Sequence, residues 1–168
     1  MVLKGLRRYA SFLGVMLFGF VNNALGNGST NVVLPVSAQI ANVCLNVTAS
    51  DLNFGNYTGA TLNAQNTITV TCPSLLSPYT IRLSVGTTPG ATYSQRLMAN
   101  GSYRLKYNIY TTPARTTIWG DGSAGTATVS APNLTLIQNY PAYGRIPANQ
   151  TDAAAGSYQD NITVTVEY

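Results

Sequence analysis

Histidine is absent from the 168 residues, and only two cysteines and one tryptophan are present. Without an imidazole, the many Ser and Thr hydroxyls lack their usual general base, which excludes Ser–His hydrolysis. A zinc site needs about four ligands, and two thiols do not supply them. The two cysteines do not form a Cys-x-x-Cys pair, so the common redox motif is missing as well. Carboxylates are few: Asp51, Asp121, Asp152, Asp160 and Glu167. Only Asp152 and Asp160 stand close together, whereas acid–base work needs a pair held across a substrate. Asp121 lies between two glycines and reads as a turn residue. Asp160, near Tyr158, stands at the entry to a final strand and reads as a structural hydrogen-bond acceptor. The expectation is a protein that is no enzyme and carries no metal or cofactor.

Long apolar runs are equally scarce. The one that stands out, Ser11 to Val21, follows a basic segment with Lys4, Arg7 and Arg8. Ala24-Leu25-Gly26 then places small residues at the −3 and −1 positions of a cleavage site, the pattern of a secretory leader over 1–26. The run is short for a span, which takes about 20 residues, and no other stretch matches it. An exported chain from Asn27 to Tyr168, without membrane insertion, is therefore expected. Three of the nine Lys and Arg fall in the leader and the acids number five, so the mature net charge is about +1. The whole-chain pI of 9.2 is thus misleading. No run of Lys or Arg remains, and nothing recommends nucleic acid or an anionic membrane surface as a partner.

Export bears on Cys44 and Cys72. An even pair in an oxidising compartment reads as a disulfide with a single possible connectivity. Closing that loop is worth about 3.5 kcal/mol in the chain-entropy view.

What the chain has in quantity is Thr, Asn, Ser, Gly and Tyr, which favour strands and turns over helix. Short alternating runs follow one another: Leu52 to Tyr57, with Gly55 as a bulge, then Thr67 to Cys72 and Tyr79 to Gly86. Asn100-Gly101 marks a hairpin between Arg96-Leu97-Met98 and Tyr103 to Tyr110. Gly120-Asp121-Gly122 marks a turn after Ile118-Trp119. Leu134-Thr135-Leu136 and Tyr143 to Ile146 flank a segment broken at Pro141. No window shows a helical period. Strands at this spacing in one exported domain predict an antiparallel β-sandwich.

Both ends of the mature chain alternate. In Asn31 to Val43 the apolar set is Val32, Leu34, Val36, Ala38 and Ile40. Asn161 to Tyr168 alternates as cleanly and carries Thr and Val where an exposed edge normally shows Lys, Pro or a bulge, so a covering partner is expected. The leading stretch is either the first strand of its own sheet or a strand that fills a groove in a neighbouring copy.

Cys44 with Leu52-Asn53-Phe54-Gly55-Asn56-Tyr57, Ile68 to Cys72, Tyr79 to Leu83, Leu105 to Tyr110, Tyr143 to Pro147 and Gly156 to Tyr168 together resemble the spore coat protein U family, which includes subunits of archaic chaperone–usher pili. The resemblance spans essentially all of the mature chain. It implies an incomplete immunoglobulin-like antiparallel β-sandwich with an N-terminal donor strand. A periplasmic chaperone lends the missing strand, and an outer-membrane usher exchanges it for the extension of the next subunit. On that pattern 27–41 is the donor extension, with Val32, Leu34, Val36, Ala38 and Ile40 as its anchors, and 42–168 is the pilin domain. Pro35 departs from an ideal donor because it withdraws one ladder hydrogen bond. The implied role is a shaft subunit of an extracellular fimbrium, joined to identical or related subunits and serving attachment or biofilm formation.

The alternative is a secreted carbohydrate-binding adhesin or a coat component. Tyr103, Tyr107, Tyr143 and Tyr168 sit within strand patterns, where sheet packing explains them first. Six Asn-x-Ser/Thr sites, at Asn46, Asn56, Asn100, Asn133, Asn149 and Asn161, matter only in a eukaryotic secretory route.

Overall fold

The computed structural model describes residues 35–38, 46–72, 78–131 and 136–168. The chain divides into two units, Met1–Ser37 and Ala38–Tyr168. In the first, Pro35, Val36 and Ser37 are exposed and carry no regular secondary structure. The leader, Val32, Leu34, Ile40 and Cys44 lie outside the described residues.

The second unit is built from eight strands: β1 Asn46–Ala49, β2 Leu62–Thr71, β3 Tyr79–Leu83, β4 Arg96–Asn100, β5 Tyr103–Tyr110, β6 Val129–Ala131, β7 Ile137–Ile146 and β8 Val164–Glu167. They form two antiparallel sheets, one in the order β1-β2-β7-β5-β4 and one in the order β6-β3-β8. No helix occurs among the described residues. The architecture is that of an all-β antiparallel sandwich.

Period-2 patterning accounts for the faces. In β3, Tyr79, Ile81 and Leu83 are buried while Thr80 and Arg82 are not. Arg82 closes an ion pair at 2.9 Å with Glu167 on neighbouring β8. In β5, Leu105, Tyr107 and Ile109 turn inward, and in β2 Ile68 and Val70 meet them. Trp119 is fully buried and donates its indole N–H to the Ile81 carbonyl at 3.1 Å, which ties it to β3.

Arg96, at the start of β4, is the one fully buried cation among the described residues. Its guanidinium donates twice to the Ser84 carbonyl, at 3.0 and 2.7 Å, once to the Trp119 carbonyl at 2.7 Å, and once to Asn108 Oδ1 at 2.7 Å. A planar fork with several fixed donors satisfies three acceptors that no apolar side chain can reach. Burial depresses its pKa, and no carboxylate forms an ion pair with it.

Three segments differ from the sequence-based expectation. Leu52 to Tyr57 forms no strand. Its alternation is real, since Leu52, Phe54 and Tyr57 are half-buried, but Asn53 Oδ1 accepts the Gly55 N–H at 2.8 Å and the positive φ of Gly55 (74°) turns the backbone out of ladder register. The final strand is shorter than Asn161 to Tyr168, although Ile162, Val164 and Val166 do face inward.

The third difference is Pro141, which does not break β7. Thr67, its opposite number on β2, spends its backbone N–H and C=O on Ser50, so the Thr67–Pro141 pair exchanges no ladder bond. The missing N–H of Pro141 points toward the β5 side, and β5 pairs with β7 only from Tyr143 to Arg145. Proline is tolerated there because no partner among the described residues asks for the donor.

Candidate functional site

β8 pairs with β3 along one edge, from Leu83↔Val164 to Thr80↔Glu167. Among the described residues its other edge has no partner strand. β1 likewise pairs with β2 alone. A cavity of about 170 Å³ joins these two elements: Ile162 and Val164 line it from β8 and its approach, and Ala49, Leu52 and Phe54 line it from β1 and the segment after it. Its remaining walls include Ile68, Leu83, Tyr107, Ile109 and Ala142, so the lining is mainly apolar. A larger open cleft of about 1230 Å³ shares Leu52, Phe54, Met98 and Asp160 with it and extends along residues 149–161.

Both walls are held by specific contacts. Phe54 packs edge-on against Tyr107, with ring centroids 6.0 Å apart. It also lies against Gly144, where a Cβ would fall 2.6 Å from the ring, so β7 must be bare at that point. On the other side Asp160 anchors the approach to β8. Its Oδ1 accepts the Thr87 and Thr88 N–H groups at 2.9 and 3.1 Å and both threonine hydroxyls, while Oδ2 accepts the Tyr107 hydroxyl at 2.7 Å. Gly86 permits this approach: its φ is 102°, and a Cβ there would collide with the carboxylate. Burial first, and the bond to Asp160 second, raise the Tyr107 pKa well above the usual phenol range. Ser84 adds a further tie, its hydroxyl accepting the Thr163 N–H at 2.9 Å. The β8 wall therefore keeps its place through polar clamps.

One polar atom of a lining residue stands out. Asn66 donates to the Ser50 carbonyl, while its Oδ1 is buried and has no hydrogen-bond partner among the described residues. An acceptor left in that state costs free energy until a donor reaches it.

The structure treats the expected site residues unequally. Val36 is 87% exposed and Ala38 is exposed too, while Val32, Leu34 and Ile40 lie outside the described residues. Cys72 is buried, and no free cysteine occurs among the described residues; Cys44 lies outside them. Tyr107 belongs to the core, but Tyr103 and Tyr168 are about half exposed, so packing does not explain those two. Asp121 forms a turn, its Oδ1 accepting the Ser123 N–H and hydroxyl. Sequence reasoning missed the Thr87–Thr88 cradle of Asp160 and the fourfold grip of Arg96. Neither has a sequence signal, because their partners come from distant positions.

No curated protein matches the chain. A solved structure described as "Chaperone-tip adhesin complex is vital for synergistic activation of CFA/I fimbriae biogenesis" is similar at 16% identity and a TM-score of 0.34. It covers 73% of this chain, which spans 42% of that one. The Spore Coat Protein U domain family, whose members are structural subunits and not enzymes, matches residues 30–165. The chain, matched over most of its length and folded as an all-β sandwich, belongs to the Spore Coat Protein U domain family.

Proposed function

We propose that the protein is a subunit, of the shaft type, of a chaperone–usher pilus, and that it polymerises by donor-strand exchange. In this reading residues 27–41 of one copy lie along the free edge of β8 in the next, with Val32, Leu34, Val36, Ala38 and Ile40 entering the apolar cleft. A periplasmic chaperone occupies the cleft first and an outer-membrane usher directs the exchange. The assembled fibre is extracellular and serves surface attachment or biofilm formation. Cys44 and Cys72 are joined by a disulfide.

The observation that carries this reading is the pairing of a strand edge that is open among the described residues with an apolar cleft lined by alternate residues of β8 and its approach. Strand addition needs both: main-chain groups for affinity and pockets for every second side chain. Burying each large anchor contributes about 1.5–3 kcal/mol, against about 1–2 kcal/mol for ordering each backbone residue. Ladder bonds and the acceptor's own core must therefore share in the gain, and a subunit without a donor is marginally stable. Among the described residues no helix is long and apolar enough to cross a membrane.

Co-expression with the chaperone tests the reading. Deleting 27–40 leaves the chaperone complex intact and stops polymer ladders on unboiled gels. Val36→Arg acts alike, because a charge forced into an apolar pocket costs several kcal/mol. Ser37→Arg, on the opposite face, is mild. Loss of the chaperone complex itself in the deletion would show that the stretch belongs to the subunit's own sheet.

A further inference from the structure

The sequence shows no run of basic residues, yet the fold gathers them. Leu105, Tyr107 and Ile109 of β5 face the core, so by period-2 alternation Arg104, Lys106, Asn108 and Tyr110 share the outer face of the five-stranded sheet, where Asn108 alone is buried, its amide bonded to Arg96 and the Tyr93 carbonyl. On β7, Ala142, Gly144 and Ile146 are buried, which places Tyr143 and Arg145 on that same outer face. Tyr110 and Tyr143 are direct cross-strand partners. The Arg145 guanidinium lies 5.7 Å from the centre of the Tyr110 ring, and that of Arg115 lies 5.7 Å from Tyr143. Arg115 reaches its place from a loop by adopting a φ of 55°, a conformation costly for a residue with a side chain.

Four of the domain's six cations thus share one face. None of the five carboxylates lies in β1, β2, β4, β5 or β7. The single ion pair among the described residues, Arg82 with Glu167, joins β3 and β8 of the other sheet. A domain with a net charge near +1 therefore presents a concentrated positive surface on one side. Beside it the face is rich in amides and hydroxyls: Asn63, Gln65 and Asn139 are exposed, and Thr67 and Thr69 are half-exposed.

We propose that this outer sheet face binds an acidic polysaccharide. Lys106 and Arg145 meet its carboxylate or sulfate groups, and the neighbouring amides and threonines meet its hydroxyls. Single-stranded nucleic acid fits less well, since base stacking needs open aromatic faces and a guanidinium already lies over one face of each of the Tyr110 and Tyr143 rings. The surface is separate from the β8 cleft, so the inference does not depend on strand donation.

The test uses the full chain on immobilised alginate, with neutral dextran, single-stranded DNA and phosphatidylglycerol vesicles as the comparison arms. The chain is retained on alginate, elutes with rising salt, and passes through dextran. Lys106→Glu lowers alginate affinity roughly tenfold, and Lys106→Glu with Arg145→Glu lowers it further. Arg82→Gln, which removes a paired cation, stays within about twofold. The Lys106 side chain is exposed, so the single variant folds and decides the matter even if the double variant does not. Equal behaviour on alginate and dextran, or an unaffected Lys106→Glu, overturns the proposal. Tighter binding to the DNA or the vesicles overturns it in favour of those partners.

Discussion

The Tyr107 hydroxyl donates to Asp160 Oδ2 at 2.7 Å, linking the inner face of β5 to the segment that leads into β8. The same carboxylate holds Thr87 and Thr88, so its removal strands several donors at once. Asp160→Ala is expected to lower stability by about 2–4 kcal/mol. Asp160→Asn, which keeps one acceptor oxygen, should lose less. Gly86→Ala combines the collision with the positive φ and should prevent accumulation of folded protein. Urea unfolding of the full chain orders Asp160→Ala and Asp160→Asn, and the yield of folded protein reports Gly86→Ala; equal midpoints for Asp160→Ala and the wild type would remove Asp160 from the clamp.

Arg96 donates only to carbonyl oxygens, with its guanidinium also 5.7 Å from the Tyr93 ring centre, so the planar fork counts for more than the charge. Arg96→Lys should be almost as damaging as Arg96→Met, because one ammonium cannot reach Ser84, Asn108 and Trp119 together. A loss of about 3–5 kcal/mol is expected for either, as buried acceptors are left unpaired. Trp119 fluorescence reports the result directly, and a lysine variant as stable as the wild type would contradict it.

These two clamps mark the limit of what the sequence discloses. Alternation in Tyr79 to Leu83 and Tyr103 to Tyr110 predicts both strands and their buried faces, because side-chain period is a local property. The Arg96–Ser84–Trp119 grip and the Asp160 cradle are products of topology, since their partners meet only when the sheets stack. The same holds for Lys106 and Arg145: each is an isolated cation in the chain, and the β5–β7 pairing makes them neighbours. Leu52 to Tyr57 shows the opposite case. Its pattern is that of a strand, but the Asn53–Gly55 turn diverts the backbone, and only the side-chain alternation survives. Of the cleft, the inward residues of β8 are visible in the sequence; the polar clamps that hold its wall are not.

Alkaline pH should unfold the domain by way of its tyrosines. Burial raises the Tyr107 pKa, with Asp160 adding to it, and burial likewise raises that of Tyr140, with the Tyr79 hydroxyl adding to it. The folded state thus keeps protons that the unfolded chain gives up near pH 10, the ordinary phenol value. Their stabilising effect is complete below that pH and is lost as pH rises toward the folded values. Absorbance of phenolate and circular dichroism, followed together, should change in one step above pH 10 for these two groups. Ionisation of every tyrosine with the fold intact would contradict this.

Removing the proposed Cys44–Cys72 bond by the double change to serine should lower stability by about 3.5 kcal/mol and reduce subunit yield. Alkylation of the native, denatured but unreduced chain should label neither thiol. Two labelled thiols would rule the bond out.

The proline within β7 has a consequence for how copies of the chain meet. From Ile137 to Ala142 that strand has no neighbour on the β5 side among the described residues, and Leu136 and Ile137 beside it are more than half exposed. A molecule that, as proposed, recruits a foreign strand at β8 is at risk of recruiting one at its other edges as well. Pro141 deletes a donor in the middle of this second edge, so a stray strand docking there meets a gap in the ladder and a ring where an N–H should be. In the proposed fibre this stretch of β7 is thereby a poor seat for a neighbour's strand, whereas β8 carries no proline along its edge.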